Sequence, residues 1–563
     1  MKKTFTLLTA LLMSSVLAFG QDILDVPPWD DTDPAILPLI DVIAGDTTDT
    51  GDRVSEDRVY RLERDGIYMI TSTLFADYSF SLIATDGDGR PPLLISAKTA
   101  EGAVVLPFMK FLSNDEEYAF ENIMFQAINT DLQQTIWTSA LQFSGNNTRV
   151  TFDGCVLNGW TGRSTDFYGA NNSVFFRDVI WRNVTHTDHP FVGQQIAFGP
   201  LDQDTLVIHN CTQFNANGYW LYHRSAMFDY VVIEHNTFYV TMTTLFALEH
   251  SVNLIFRSNL LYGVYALGDH PISRRDKWYT TDGLPLAHIL VDAMADTVLA
   301  AGGLTEADRS ILLTNNAWHT PQAIQDHYDA NDTLTGPVWM NDRVQGMFDD
   351  DASYPLFVAE NNVEIDPVFA DADMDTWMTT ETANAATEFM NHPPGAFWGT
   401  TSTMRNYDSR TGIDQDLLIV PWPLAEGNLE ITEASLLTAG HDGLPVGNLN
   451  WDPTLRAQYR LPGEPGVGIE NQLQNSMGFS ITQNYPNPFS HETMIGYSLS
   501  NAADVTISVY NVLSQKVATL VNEYRDAGEY SVRWDAADMP AGIYTYRIEA
   551  DGLAQTRKMM LVK

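Results

Sequence analysis

The densest positive patch in a strongly acidic chain is "HPISRRDKW", where His270, Arg274, Arg275 and Lys277 crowd around Asp276. Lys277 is the one lysine between Phe111 and Gln515. Such a group can neutralise the carboxylate of an acidic sugar and help remove the proton beside it. A solvated loop held by ion pairs uses the same residue types, so the cluster is a candidate clamp and not a signature. Two further groups carry acid–base side chains. "LYHRSAMFD" sets His223 beside Arg224, and "THTDHPF" offers His186, Asp188 and His189. Histidines of this kind serve ring stacking as well as proton transfer. For a metal ion, "DADMD" supplies Asp371, Asp373 and Asp375 at alternate positions, as an EF-hand loop begins. Thr376 stands where that loop needs glycine and Thr382 where it needs the last glutamate, which leaves only a weak Ca²⁺-holding turn. Glycoside hydrolysis needs two carboxylates roughly 5 to 10 Å apart. Among 72 acidic residues such neighbours arise by chance, so that signal is empty. No zinc spacing, phosphate loop or nucleophile elbow is visible.

Whatever these groups do depends on the elements that hold them. "LVIHNCTQFN", "VVIEHNTFYV" and "LIFRSNLLYG" repeat one pattern of apolar, polar, Asn and apolar residues. Alignment on the central apolar residue runs through Phe120, Phe152, Phe176, Ile208, Ile233, Phe256 and Leu313, in steps of 32, 24, 32, 25, 23 and 57 residues. Each unit alternates like a strand and then meets Asn, Asp or Gly, as a strand-to-turn junction does. A unit of this length cannot bury its apolar face alone, whereas stacked coils bury it between neighbours. With its "V-x-I-x-N-N/C-x-F" coils, the chain resembles right-handed parallel β-helix proteins of the pectate-lyase-like kind. The last step calls for a long insertion near 262–310, the segment that carries Lys277.

That register makes specific expectations. Asn236, Asn259 and Asn316 stack at one turn. Cys155 and Cys211, the only cysteines, share that inward column two coils apart with Val179 between them. Two strand spacings are about 10 Å, beyond disulfide reach, so both thiols are expected free and buried. An open solenoid also needs its ends covered. Asp33 to Gly45 is the expected N-terminal cap, and residues 320–450 are expected to supply late coils and a C-terminal cover.

The chain has 563 residues and a net charge of −41. Such a surface disfavours nucleic acid and anionic membranes and suits either plain solubility or divalent cations. The opening "MKKTFTLLTALLMSSVLAFGQD" has a positive start, a short apolar run and a small-residue cleavage site, the pattern of a secretory signal peptide. Residues 461–478 are a Gly- and Pro-rich linker. Beyond it, period-two strands alternate with Asp-, Gly- and Pro-containing turns. This stretch closely resembles the type A C-terminal sorting domain of the type IX secretion system. The matching residues are Asn484, Tyr485, Pro486, Asn487, Pro488 and Phe489, then "VYNVLSQKVATLV", Gly528, Trp534, Gly542, Tyr544 and the closing "TRKMMLVK" ending at Lys563. The resemblance implies export to the cell surface or exterior and handling by the type IX machinery.

The expected layout is therefore a leader (1–21), a lead-in (22–56), a β-helix (57–455), a linker (456–478) and a small immunoglobulin-like β-sandwich (479–563). Two functions fit. One is binding or cleavage of polysaccharide, with a lyase route favoured over hydrolysis and Ca²⁺ as a companion ion. The other is a non-catalytic, monomeric surface scaffold.

Overall fold

The computed structural model describes residues 22–268, 286–390, 429–451 and 479–561, apart from short stretches within those ranges. Among them, three parallel sheets form the body. The first has 11 strands, from Ile23–Val26 to Phe357–Glu360; the second has six, from Leu74–Ala76 to Leu221–His223; the third has ten, from Ile67–Ile70 to Val363–Glu364. One coil visits the first, third and second sheets in turn, as in Glu117–Glu121, Met124–Asn129 and Ser139–Phe143. The next coil starts at Arg149–Asp153, which pairs in parallel with Glu117–Glu121. This is a parallel β-helix.

The repeat register holds residue by residue. Phe120, Phe152, Phe176, Ile208, Ile233, Phe256 and Leu313 pair in unbroken succession. The last of these pairings joins Asn253–Arg257 directly to Ser310–Thr314, so the residues between them are an insertion within one coil. Alternation turns every second side chain inward. Inside, Phe120, Phe152 and Phe176 stack with ring centroids 4.9 Å apart, and Phe111, Phe143, Phe167 and Phe198 form a second ladder at 4.4 to 4.9 Å.

From Glu117–Glu121 onward, each first-sheet strand reaches the third sheet through one left-handed residue. Asn122, Gly154, Asp178, Asn210, His235, Ser258, Asn315 and Asn361 hold this corner, with φ between 52° and 62°. Short polar residues and Gly pay least for that conformation, which is why the pattern breaks there to Asn, Asp, Gly and Ser. The residue after the corner points inward. Asn236 Nδ2 donates to Asn259 Oδ1 (2.9 Å), Asn259 Nδ2 to Asn316 Oδ1 (3.1 Å) and Asn316 Nδ2 to Asn362 Oδ1 (2.8 Å). Each of these amides also donates to a main-chain carbonyl of the preceding coil, so both amide hydrogens of Asn236, Asn259 and Asn316 have acceptors. Cys155 and Cys211 lie in the same column, and both are free and buried.

The helix Leu39–Gly45 buries Leu39, Ile40 and Ile43 at the start of the body. At the other end two further strands are accompanied by helices. Among the described residues, only Phe357–Glu360 and Val363–Glu364 continue the sheets beyond His319, while Gln322–Asp329, Asp342–Phe348 and Ala372–Met390 are helices. These helices are short or weakly patterned, and they are held by packing on the solenoid more than by their own periodicity.

A closing segment, Ala439–Asn450, runs back along the corners. Asn315 Nδ2 donates to Ala439 O, His441 N to Ser258 Oγ, Asn448 Nδ2 to Asn210 O and Asn450 Nδ2 to Asp178 Oδ1.

The C-terminal unit is an antiparallel pair of sheets with three and four strands. Phe489, Trp534 and Tyr544 form its aromatic centre, with centroids 5.6 and 5.2 Å apart. Gly528 and Gly542 open two of its strands. Its core is continuous with Phe175, Val207, Tyr230, Val232 and Ile255, which belong to the first sheet of the body. These residues alternate with the inward-pointing Val174, Phe176, Leu206, Ile208, Val231 and Ile233, so the unit is seated on the sheet's outer face. Arg547 Nη1 meets Asp308 Oδ1 at 2.6 Å across the same junction.

Candidate functional site

The second sheet presents a concentrated polar group on its outward face. Leu141 and Phe143 point into the core, so Gln142 between them points out, and Asp166 is its partner on the next strand. Asp166 is 1% exposed. Its Oδ2 accepts from Ser139 Oγ (3.0 Å), Arg163 Nη1 (2.7 Å) and Tyr168 Oη (2.6 Å). Arg163 Nε donates to Gln194 Oε1 at 2.8 Å, and its guanidinium lies 5.8 Å from the Tyr222 ring centre. Four successive coils thus contribute to one cluster.

Burial works against the Arg163 charge, but Asp166 outweighs it and holds the arginine proton more tightly than usual. Arg163 is therefore a fixed cation and not a base at neutral pH. Asp166 Oδ1 is buried and has no hydrogen-bond partner. An orphaned acceptor costs on the order of 1–3 kcal/mol, and a ligand hydroxyl or cation reaching it would recover that.

The stretch around Lys277 lies outside the described residues, but both of its flanks are placed. Tyr265 before it and Leu286 and Ala287 after it pack with Ala197, Tyr219 and Tyr222 of the second sheet and its approach. Lys277, Arg274, Arg275 and Arg224 themselves are outside the described residues, as are His186, Asp188 and His189. His223 ends the last strand of the second sheet, paired with Phe198. Sequence reasoning passed over Arg163 and Asp166, since their partners Ser139 and Gln194 sit 27 and 31 residues away in other coils.

The aspartates suggested for Ca²⁺ do not form a loop. Their segment begins the helix Ala372–Met390, Asp371 Oδ1 caps it by accepting from Met374 N (2.9 Å), and Asp373 is exposed. Asp375 accepts from Tyr239 Oη and Tyr262 Oη, each at 2.7 Å, and so fastens the helix to the third sheet. Burial raises the Asp375 carboxyl above the usual range, against the pull of the two tyrosines. The coordination an EF-hand needs is replaced by a helix cap and a packing anchor.

A second cluster sits on the corner edge. His209 Nδ1 meets Glu234 Oε1 (3.2 Å), and Arg257 Nε meets Glu234 Oε2 (2.8 Å). Burial opposes the Glu234 charge, yet Arg257 and His209 hold the carboxyl well below its ordinary range. Beside it His235 Nε2 meets Asp442 Oδ2 at 3.1 Å, and Ser258 Oγ meets His441 Nδ1 at 2.8 Å.

Among known proteins, the family described as the secretion system C-terminal sorting domain matches residues 483–563. Of its expected residues, Phe489, Gly528, Gly542 and Tyr544 lie in the sandwich, while Asn484 to Pro488 and Lys563 fall outside the described residues. No curated protein matches the chain. The sorting domain marks a protein sent by type IX secretion to the cell surface or exterior. No described helix is long and apolar enough to cross a membrane.

Proposed function

We propose that this exported protein engages polysaccharide along the outer face of its second sheet. Arg163, Asp166 and Gln194 supply the polar contacts, and the exposed Tyr168 supplies a surface on which a sugar ring stacks. The observation that carries the reading is the buried, unpartnered Asp166 Oδ1 at the centre of a cluster assembled from four coils. The residues that flank the Lys277 stretch support the same face, because Tyr265, Leu286 and Ala287 pack with Tyr222 beside the cluster.

The chemistry divides the roles. Arg163, held protonated, suits a clamp on a uronate carboxylate or a sugar oxygen. A lyase would take its base from elsewhere, and Lys277 is the candidate. At a net charge of −41 a polyuronate approaches only with a bridging divalent cation, so Ca²⁺ belongs in the assay.

The test is a screen of residues 22–563 against acidic and neutral polysaccharides with Ca²⁺. It reads unsaturated uronate absorbance, new reducing ends and retention on immobilised polymer. Binding or turnover lost in Asp166→Asn and Arg163→Lys is the expected result. Reducing ends without absorbance point to hydrolysis. Silence on every polymer in all three readouts overturns the proposal and leaves the display scaffold.

A further inference from the structure

The corner edge, on the opposite end of the first-sheet strands from the second sheet, holds a cluster that the polysaccharide reading leaves unused. We propose that His235, His441 and Asp442 form a site for a divalent transition-metal ion of the zinc class, with the fourth position open to solvent or a ligand.

The donor atoms are already gathered. One nitrogen from each imidazole and one carboxylate oxygen lie within 4.8 Å of one another, and His235 Nε2 and Asp442 Oδ2 are 3.1 Å apart. In a tetrahedral zinc site with bonds near 2.0–2.1 Å, donors stand about 3.3 Å apart, so no pair of donors needs to close by more than about 1.5 Å. Two imidazoles and one carboxylate make a borderline donor set that suits Zn²⁺ and disfavours Ca²⁺ or Mg²⁺, which want oxygen alone.

The surroundings orient these donors in the manner of a metal site. Ser258 Oγ engages His441 Nδ1, which leaves Nε2 of that ring as the ligand atom. Leu444 N donates to Asp442 Oδ1 at 3.1 Å and leaves Oδ2 facing His235. The loop also wraps the His235 ring closely: a Cβ on Gly440 would stand 3.2 Å from His235 Cε1 and 2.6 Å from Leu444 O. Beside the cluster Glu234 is engaged by Arg257 and His209.

The corner residue itself is unusual. The equivalent positions hold Asn, Asp, Gly or Ser, and His235 takes the same left-handed backbone at φ 52°. A bulkier side chain there costs on the order of 1 kcal/mol, which a ligand role offsets and a plain turn does not.

The experiment titrates metal-free protein, residues 22–563, with Zn²⁺ by calorimetry and with Co²⁺ by visible absorption. The expected result is one saturable site, a tetrahedral Co²⁺ spectrum, and affinity at least roughly tenfold weaker in His441→Ala and in Asp442→Asn. His319→Ala removes a histidine that pairs with Asp366 elsewhere and leaves binding unchanged. X-ray absorption on the Zn²⁺-loaded wild type reads the ligands without any variant, and two imidazoles with one carboxylate are expected. No saturable binding, a different ligand set, or wild-type affinity in His441→Ala overturns the site.

Discussion

At the scale of single residues, buried polar groups carry the clearest consequences. Arg163→Ala leaves the Asp166 carboxylate buried with only two hydroxyl donors, and losing one partner of a buried pair costs about 3–5 kcal/mol. Urea unfolding of the variant should show that loss. Arg163→Lys keeps the charge but not the fork that reaches both Asp166 and Gln194, so an intermediate loss is expected. Asn259→Leu removes the acceptor for the main-chain and side-chain amides of Asn236, and the donor to Ile233 O. It should destabilise by roughly 3 kcal/mol, because several buried partners are orphaned together. The two thiols give a simpler check. Burial pushes the Cys211 thiol up, and both cysteines are enclosed. A thiol reagent should find neither in the native protein and both in denaturant; a native thiol count above zero contradicts the packing described here.

At the scale of elements, legibility followed the strength of the local rule. The first and third sheets were readable because alternation, a left-handed corner and an inward Asn or Cys recur at fixed offsets, and pairing honours that register from Phe120 to Leu313. The second sheet was harder to read: its strands, such as Gln194–Phe198, lack a fixed polar residue at their ends. The helices after His319 were missed because their positions are fixed by tertiary contacts. "DADMD" misled for a related reason, since alternate aspartates also suit a helix start, where Asp371 caps and Asp373 favours the dipole. Binding residues were the least legible, as convergence across coils leaves no mark in one short window. The closing segment offers a test at this scale. Gly447 has φ 87°, and a Cβ there would stand 2.7 Å from Thr237 Oγ1. Gly447→Ala should therefore speed hydrogen exchange in Ala439–Asn450 while the sheets stay protected.

At the scale of the whole molecule, the sorting domain and the body share one apolar interface. Removing residues 479–561 would bare Phe175, Val207, Val232 and Ile255 together, a contiguous patch of the kind that binds dyes or other proteins. Light scattering and dye fluorescence should rise in the truncated protein, and unchanged signals would place the domain elsewhere in solution. Acid should loosen the same junction. Burial opposes the Asp308 charge, but hydrogen bonds from Thr305 and the contact with Arg547 hold its pKa below the ordinary value. A lowered carboxylate stabilises above its unfolded pKa and stops doing so as pH falls through its folded one, so the contact weakens below about pH 4. The partly exposed Arg547–Asp308 pair contributes at most about 1 kcal/mol, and the apolar area dominates. The closing segment has a mechanical consequence. A solenoid binds each coil only to its neighbours, and so it stretches and frays from its ends like a spring. Ala439–Asn450 grips corners from Asp178 to Asn315, a span of about 19 Å at 4.8 Å per coil. It acts as a tendon along the rod: a tensile load on the long axis is borne in parallel by coil pairing and by this strap, and the coils it spans extend last.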